Sequence, residues 1–197
     1  MTPPPPVVTT PDRAVLLAPG ASATRDHPSL VAVEDALRPP GVPVERIDLP
    51  SRKAVGAVLG LVRDGAAALA ARTGLAPGRL VLGGRSFGGR MCSMAVADGL
   101  PALGLVLVSY PLHPPGRPEM ARTEHLPRLD VPCLFVSGTR DPFGTPDEME
   151  HHTRAIGGPV THVWIEGGGH GLRGHDRDVA AAVRDWVVGL PAAGPPG

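Results

Sequence analysis

The sequence has no excess of either charge, no long apolar run, almost no lysine and only two cysteines, and each shortage removes a class of function. Nineteen Lys and Arg offset nineteen Asp and Glu, and no stretch gathers the basic residues on one face. The electrostatic footprint of a nucleic-acid binder is therefore missing. No apolar run approaches the roughly 20 residues that cross a bilayer, and the opening "MTPPPPVVTTPD" has neither the basic nor the apolar region of a secretory signal. A cytoplasmic protein that engages no membrane is expected. Cys92 and Cys133 lack metal or redox spacing, and a reducing compartment disfavours a bridge between them, so both read as small buried hydrophobes. Lys53 stands alone beside eighteen arginines, a bias of the kind high-GC bacterial coding produces, and it carries no functional weight.

What is present is enough for one core. At 197 residues a single domain needs no disulfide or metal support. Its expected limits are 13–190, with a flexible Pro-rich arm at 1–12 and a flexible tail at 191–197. Short apolar runs at 14–18, 42–48, 79–83, 105–109, 131–137 and 160–166 alternate with helical stretches at 29–38, 52–74, 89–99, 146–157 and 177–190. Most of the short runs are continuously apolar, which suits parallel strands buried on both faces. The expectation is an α/β fold of three layers, with about six mostly parallel strands in a doubly wound sheet and ligands at the carboxyl ends of the strands. Val179, Val183, Trp186, Val187 and Leu190 recur at helical spacing, so Trp186 reads as core packing. The Pro-broken connection 110–130 has room for a short helix near 119–126 and none for a large lid domain.

One stretch carries the chemistry. "GGRSFGGR", positions 83–90, sits between a predicted strand and a predicted helix, and within it 84–88 matches G-x-S-x-G, a pattern that acquires meaning in that context. A sharp turn of this kind lifts Ser86 Oγ above the sheet, and Gly84 and Gly88 remove the Cβ atoms that would collide. Phe87 N–H, at the start of the following helix, is free to meet an oxyanion. A serine hydroxyl needs a general base, and the base needs a group to fix its tautomer. Asp141 in "GTRDPFG" and His170 in "GGGHGL" both follow predicted strands, so both fall at the same sheet edge as Ser86. Asp147 is the rival acid and reads better as a first-turn helix carboxylate. His175 is the rival base and reads as a solvated residue beginning the last helix. His151 and His152 are helix neighbours without the i, i+4 spacing of a metal pair, so neither metal nor cofactor is expected. The second oxyanion donor is expected in the loop after the first strand, at Ala21, with Ser22 beside it. His113 in "YPLHPPG" either borders the pocket or braces a turn.

Together "LLAPGA", "GGRSFGGR", "SYPLHPPGRPE", "EHL", "VPCLFVSGTRDPFG" and "GGGHGL" resemble small lidless α/β-hydrolase-like proteins of bacteria, related to dienelactone hydrolases and to a eukaryotic testis-expressed hydrolase-like protein. The resemblance covers nearly all of the chain after residue 12. It implies an α/β-hydrolase fold with Ser86, Asp141 and His170 as nucleophile, acid and base, in the chain order of that fold. This chain departs from the pattern in Pro19-Gly20, where relatives carry His-Gly, in reduced amino-terminal strands, and in having serine where dienelactone hydrolases have cysteine.

The function expected is that of a serine hydrolase acting on small or exposed acyl esters or thioesters, with a small-molecule acyl substrate as partner and the oligomeric state left open. The alternative is an interaction module that keeps the scaffold with weak chemistry, since fold alone does not fix function. Phosphate binding at the glycine turn is a third reading; it lacks the G-K-[ST] ending and the lysine of a phosphate loop.

Overall fold

The computed structural model describes residues 11–192. Six strands, β1 (Ala14–Ala18), β2 (Val44–Arg46), β3 (Leu80–Arg85), β4 (Gly104–Val108), β5 (Cys133–Gly138) and β6 (Val160–Ile165), make one sheet. Their order is β2-β1-β3-β4-β5-β6, and every pairing is parallel. The chain runs from β1 outward to β2, then crosses back to β3 and winds the other way. The strand order therefore reverses between β1 and β3, and a crevice opens at their carboxyl ends.

Five helices, α1 (Pro28–Leu37), α2 (Val55–Thr73), α3 (Phe87–Ala97), α4 (Pro146–Thr153) and α5 (Asp176–Gly189), cover the sheet. Successive strand side chains point to opposite faces, which explains the unbroken apolar runs. Leu16, Leu82, Leu105, Leu107 and Phe135 pack on one face with Leu69 of α2, Met91 of α3 and Met149 of α4. Val15, Leu17, Val81, Val106 and Val136 pack on the other with Val33 of α1 and Val183 of α5. Trp186 is half-buried against this second face. These are the three layers of an α/β-hydrolase fold.

Several boundaries differ from the sequence-based expectation. β2 pairs over Val44–Arg46 rather than 42–48, because it is an edge strand and Pro43 has no N–H for the ladder. α4 stops at Thr153 instead of 157. The helix expected near 119–126 is replaced by two 3-10 turns, Pro118–Met120 and Leu126–Arg128; Pro118 and Pro127 each open a turn and prevent one helix from running through. Residues 110–130 thus contribute no lid. The expected amino-terminal arm and carboxyl-terminal tail fall mostly outside the described residues, although Asp12 accepts hydrogen bonds from Arg13 and Arg79. Cys92 and Cys133 are free and buried, and burial pushes both thiols up to about 12, which keeps them protonated and inert. Among the described residues no helix is long and apolar enough to cross a membrane.

Candidate active site

The turn between β3 and α3 is built around a strained serine. Ser86 has φ 49° and ψ −116°, a conformation that costs a non-glycine residue about 1–3 kcal/mol and persists only where surrounding structure enforces it. That structure is visible. Ser86 N–H donates to Val108 O at 2.8 Å, and Arg90 N–H donates to Ser86 O at 3.0 Å. A Cβ on Gly84 or Gly88 would overlap the Ala18 carbonyl, and one on Gly83 would overlap Val106. Glycine here lets β1, β3 and α3 converge under the serine.

The two other sequence-predicted residues arrive from the ends of β5 and β6. Ser86 Oγ lies 2.9 Å from His170 Nε2, and His170 Nδ1 lies 2.8 Å and 3.1 Å from the two Asp141 carboxylate oxygens. Asp141 is 3% exposed. Its carboxylate also accepts the Phe143 N–H at 2.9 Å, which fixes its plane. A carboxylate only accepts, so the proton sits on Nδ1 and leaves Nε2 to accept from the serine hydroxyl. The structure thus brings Ser86, His170 and Asp141 into one relay. Asp147 is exposed in the first turn of α4, and His175 immediately precedes α5 and pairs with Asp178.

The histidine loop has supports that sequence reasoning did not single out. Phe143 stacks on His170 with ring centroids 4.0 Å apart. Arg85 Nη2 donates to His170 O at 2.7 Å, while burial lowers its pKa. Arg85 stood inside the quoted glycine turn and Phe143 two residues after Asp141, so their positions were the only available signal.

Phe87 is the first residue of α3 and has no intrahelical acceptor for its N–H. No carbonyl outside the helix takes it, and none takes Ala21 N–H, among the described residues. Ser51 Oγ donates to Ala21 O at 2.7 Å and Ala23 N–H to Gly20 O at 3.1 Å; these bonds brace the loop that follows Pro19-Gly20. Ala21 and Ser86 border two cavities. The larger, about 600 Å³, is also lined by Ser22, His27, Arg85 and His170. The smaller, about 320 Å³, is also lined by Phe87, Arg90, Arg122 and Phe143. His113 lines neither. Its Nδ1–H donates to Pro114 O at 2.8 Å and its Nε2 lies 3.3 Å from Glu148 Oε2, so of its two expected roles it takes the bracing one.

A second Ser–His contact lies in the core, where Ser93 Oγ is 2.8 Å from His125 Nε2. Ser93 is fully buried, and among the described residues no carboxylate hydrogen-bonds to His125. Burial, then the charges of Arg90 and Arg128, pull His125 down to about 4, so it stays neutral and structural. Among the described residues, no cluster of three or more His, Cys, Asp or Glu is placed to hold a metal ion.

A serine on a strained strand–helix turn, at the switch point of a parallel sheet and in contact with a carboxylate-backed histidine, defines a domain of the α/β-hydrolase class. The chain belongs to the alpha/beta hydrolase domain family, whose pattern it matches over residues 11–186. It is similar to epoxide hydrolase A of Mycobacterium tuberculosis, with 38% identity over 64 residues. That match covers 32% of this chain and 20% of the relative, so this chain spans about a fifth of its length. Among solved structures, dienelactone hydrolase from Anabaena variabilis superposes with a TM-score of 0.74 at 20% identity, covering 90% of this chain and 86% of that one. Est1E from Butyrivibrio proteoclasticus superposes with a TM-score of 0.72 at 17% identity, over 90% and 88%. These structural likenesses concern the fold.

Proposed function

We propose that the protein is a serine hydrolase that cleaves small or exposed acyl esters or thioesters through a covalent acyl-enzyme. The observation that carries this reading is the relay from Ser86 Oγ through His170 to Asp141, with the unengaged N–H groups of Phe87 and Ala21 bordering the same cavity. Ser86 attacks the acyl carbonyl while His170 takes its proton. Asp141 holds the imidazole in the required tautomer and stabilises the imidazolium. The Phe87 and Ala21 N–H groups receive the oxyanion. His170 then protonates the leaving oxygen or sulfur, and water attacks the acyl-serine by the same route, releasing the acid. None of these steps requires a cofactor. An epoxide opened by Ser86 would instead leave a serine ether, which offers water no carbonyl, so the cycle favours acyl substrates. The absence of a lid over 110–130 suits small or exposed groups.

The competing reading is a hydrolase-like interaction module with little chemistry. A fluorophosphonate probe separates the two. The protein is expected to be labelled at one site, with labelling lost in Ser86→Ala; a folded wild-type protein that stays unlabelled would favour the module.

A further inference from the structure

We propose that Arg90 and Arg122 form a carboxylate subsite beside the nucleophile, so that the preferred substrates are monoesters or monothioesters of short dicarboxylic acids. This rests on the serine-hydrolase reading above and names its substrate class.

Arg90 and Arg122 are two of ten arginines without an Asp or Glu partner among the described residues, and what sets them apart is that both line one small cavity beside Ser86. Eight others, Arg13, Arg25, Arg38, Arg46, Arg72, Arg79, Arg128 and Arg184, each pair with an Asp or Glu. Arg90 and Arg122 form no ion pair among the described residues, although both line the cavity of about 320 Å³ that also contains Ser86. Arg90 Nε is buried without a hydrogen-bond partner. The Arg122 side chain has only a long contact, 3.4 Å from Nη1 to Pro111 O. Glu124 acts at a distance on Tyr110 and His125 but pairs with neither arginine. Burial and the neighbouring charge of Arg90 both lower the pKa of Arg122. Two guanidinium groups facing one small cavity repel each other, and each leaves donors unused at partial burial. A carboxylate between them reverses the sign of the interaction and accepts in the bidentate geometry arginine offers.

Chemistry also places the anion on the acyl side of the substrate. The leaving group has to receive the proton held at His170 Nε2, so it lies over the larger cavity, which His170 lines. The smaller cavity is lined by the oxyanion donors and not by His170, and it takes the acyl chain. Its volume is at the low end for ligand pockets, which fits a short chain ending in a carboxylate and leaves no room for a long lipid.

The test compares p-nitrophenyl hemiglutarate with p-nitrophenyl valerate, a neutral ester of matched chain length. Wild-type protein is expected to favour the hemiglutarate in kcat/KM by on the order of 100-fold, the scale of hydrogen bonds to a charged group. Arg90→Gln and Arg122→Gln should each lower that ratio about 10-fold or more, with Arg122→Lys retaining part of it. Because the readout is a ratio, losses common to both esters through imperfect folding cancel. A wild-type ratio near one, or a ratio indifferent to both Gln substitutions, overturns the subsite. If Ser86 is still labelled by fluorophosphonate in that event, the hydrolase reading stands; absence of labelling together with absence of turnover of either ester overturns both.

Discussion

Replacing Asp141 with Asn is expected to lower kcat on a short p-nitrophenyl ester by about 10⁴-fold while the protein remains folded by circular dichroism. The reasoning is geometric. Phe143 N–H donates to Asp141 Oδ1 at 2.9 Å, and an asparagine satisfies that donor only by placing its carbonyl oxygen there. Its NH₂ then faces His170 Nδ1, at the position of the oxygen that lies 2.8 Å away. Nδ1 must accept, the imidazole proton moves to Nε2, and the histidine presents a donor to Ser86 where catalysis requires an acceptor. Because the three residues act as one unit, Ser86→Ala combined with Asp141→Asn should be no slower than Ser86→Ala alone. Steady-state kinetics on the three variants checks this; an Asp141→Asn enzyme retaining a tenth of wild-type activity would remove Asp141 from the relay.

The second large effect is on the scaffold. Gly88→Ala places a methyl group into the backbone of Ala18 and Pro19, where β1 is locked to β3 through the Ala18–Gly84 register and cannot retreat. A loss of at least about 2 kcal/mol is expected, as for overpacked cores with no room to relax. In a domain of this size that lowers the melting temperature by about 4–8 °C. Activity should fall as well, because Pro19 leads into the loop that carries Ala21. Gly60→Ala is the control. Gly60 lies inside α2 with nothing within 4 Å of an added Cβ, and alanine there should leave stability unchanged or raise it by up to about 1 kcal/mol. Equal melting temperatures for wild type and Gly88→Ala would contradict the packing described at the turn.

How far the sequence discloses this arrangement depends on whether a residue's position follows from its place along the chain. β1 is legible because an apolar run ends in Pro19-Gly20, and Ser86 because glycines crowd a strand–helix junction. Asp141 and His170 follow strands that must lie parallel, so chain topology alone carries them to one edge. α3 begins two residues before the expected 89 because Ser86 serves both as the elbow and as the residue preceding the helix, a double role that helix periodicity does not register. The arginine pair is of another kind. Arg90 and Arg122 lie far apart in sequence on α3 and on an irregular connection, and in a chain with eighteen arginines each resembles a solvated surface residue. Only the fold sets both against one cavity. The role of His113 was likewise undecidable beforehand, since bordering a pocket and bracing a turn require the same residue in the same loop.

The central claim is that Ser86 becomes acylated through His170. Rapid quenching of the enzyme during turnover of a p-nitrophenyl ester, followed by peptide mass spectrometry, measures this directly. The account predicts one acyl group per chain, carried on the peptide containing Ser86, with no adduct in Ser86→Ala. Turnover at wild-type rate without that adduct, or with the acyl group on another residue such as Ser93, would contradict it.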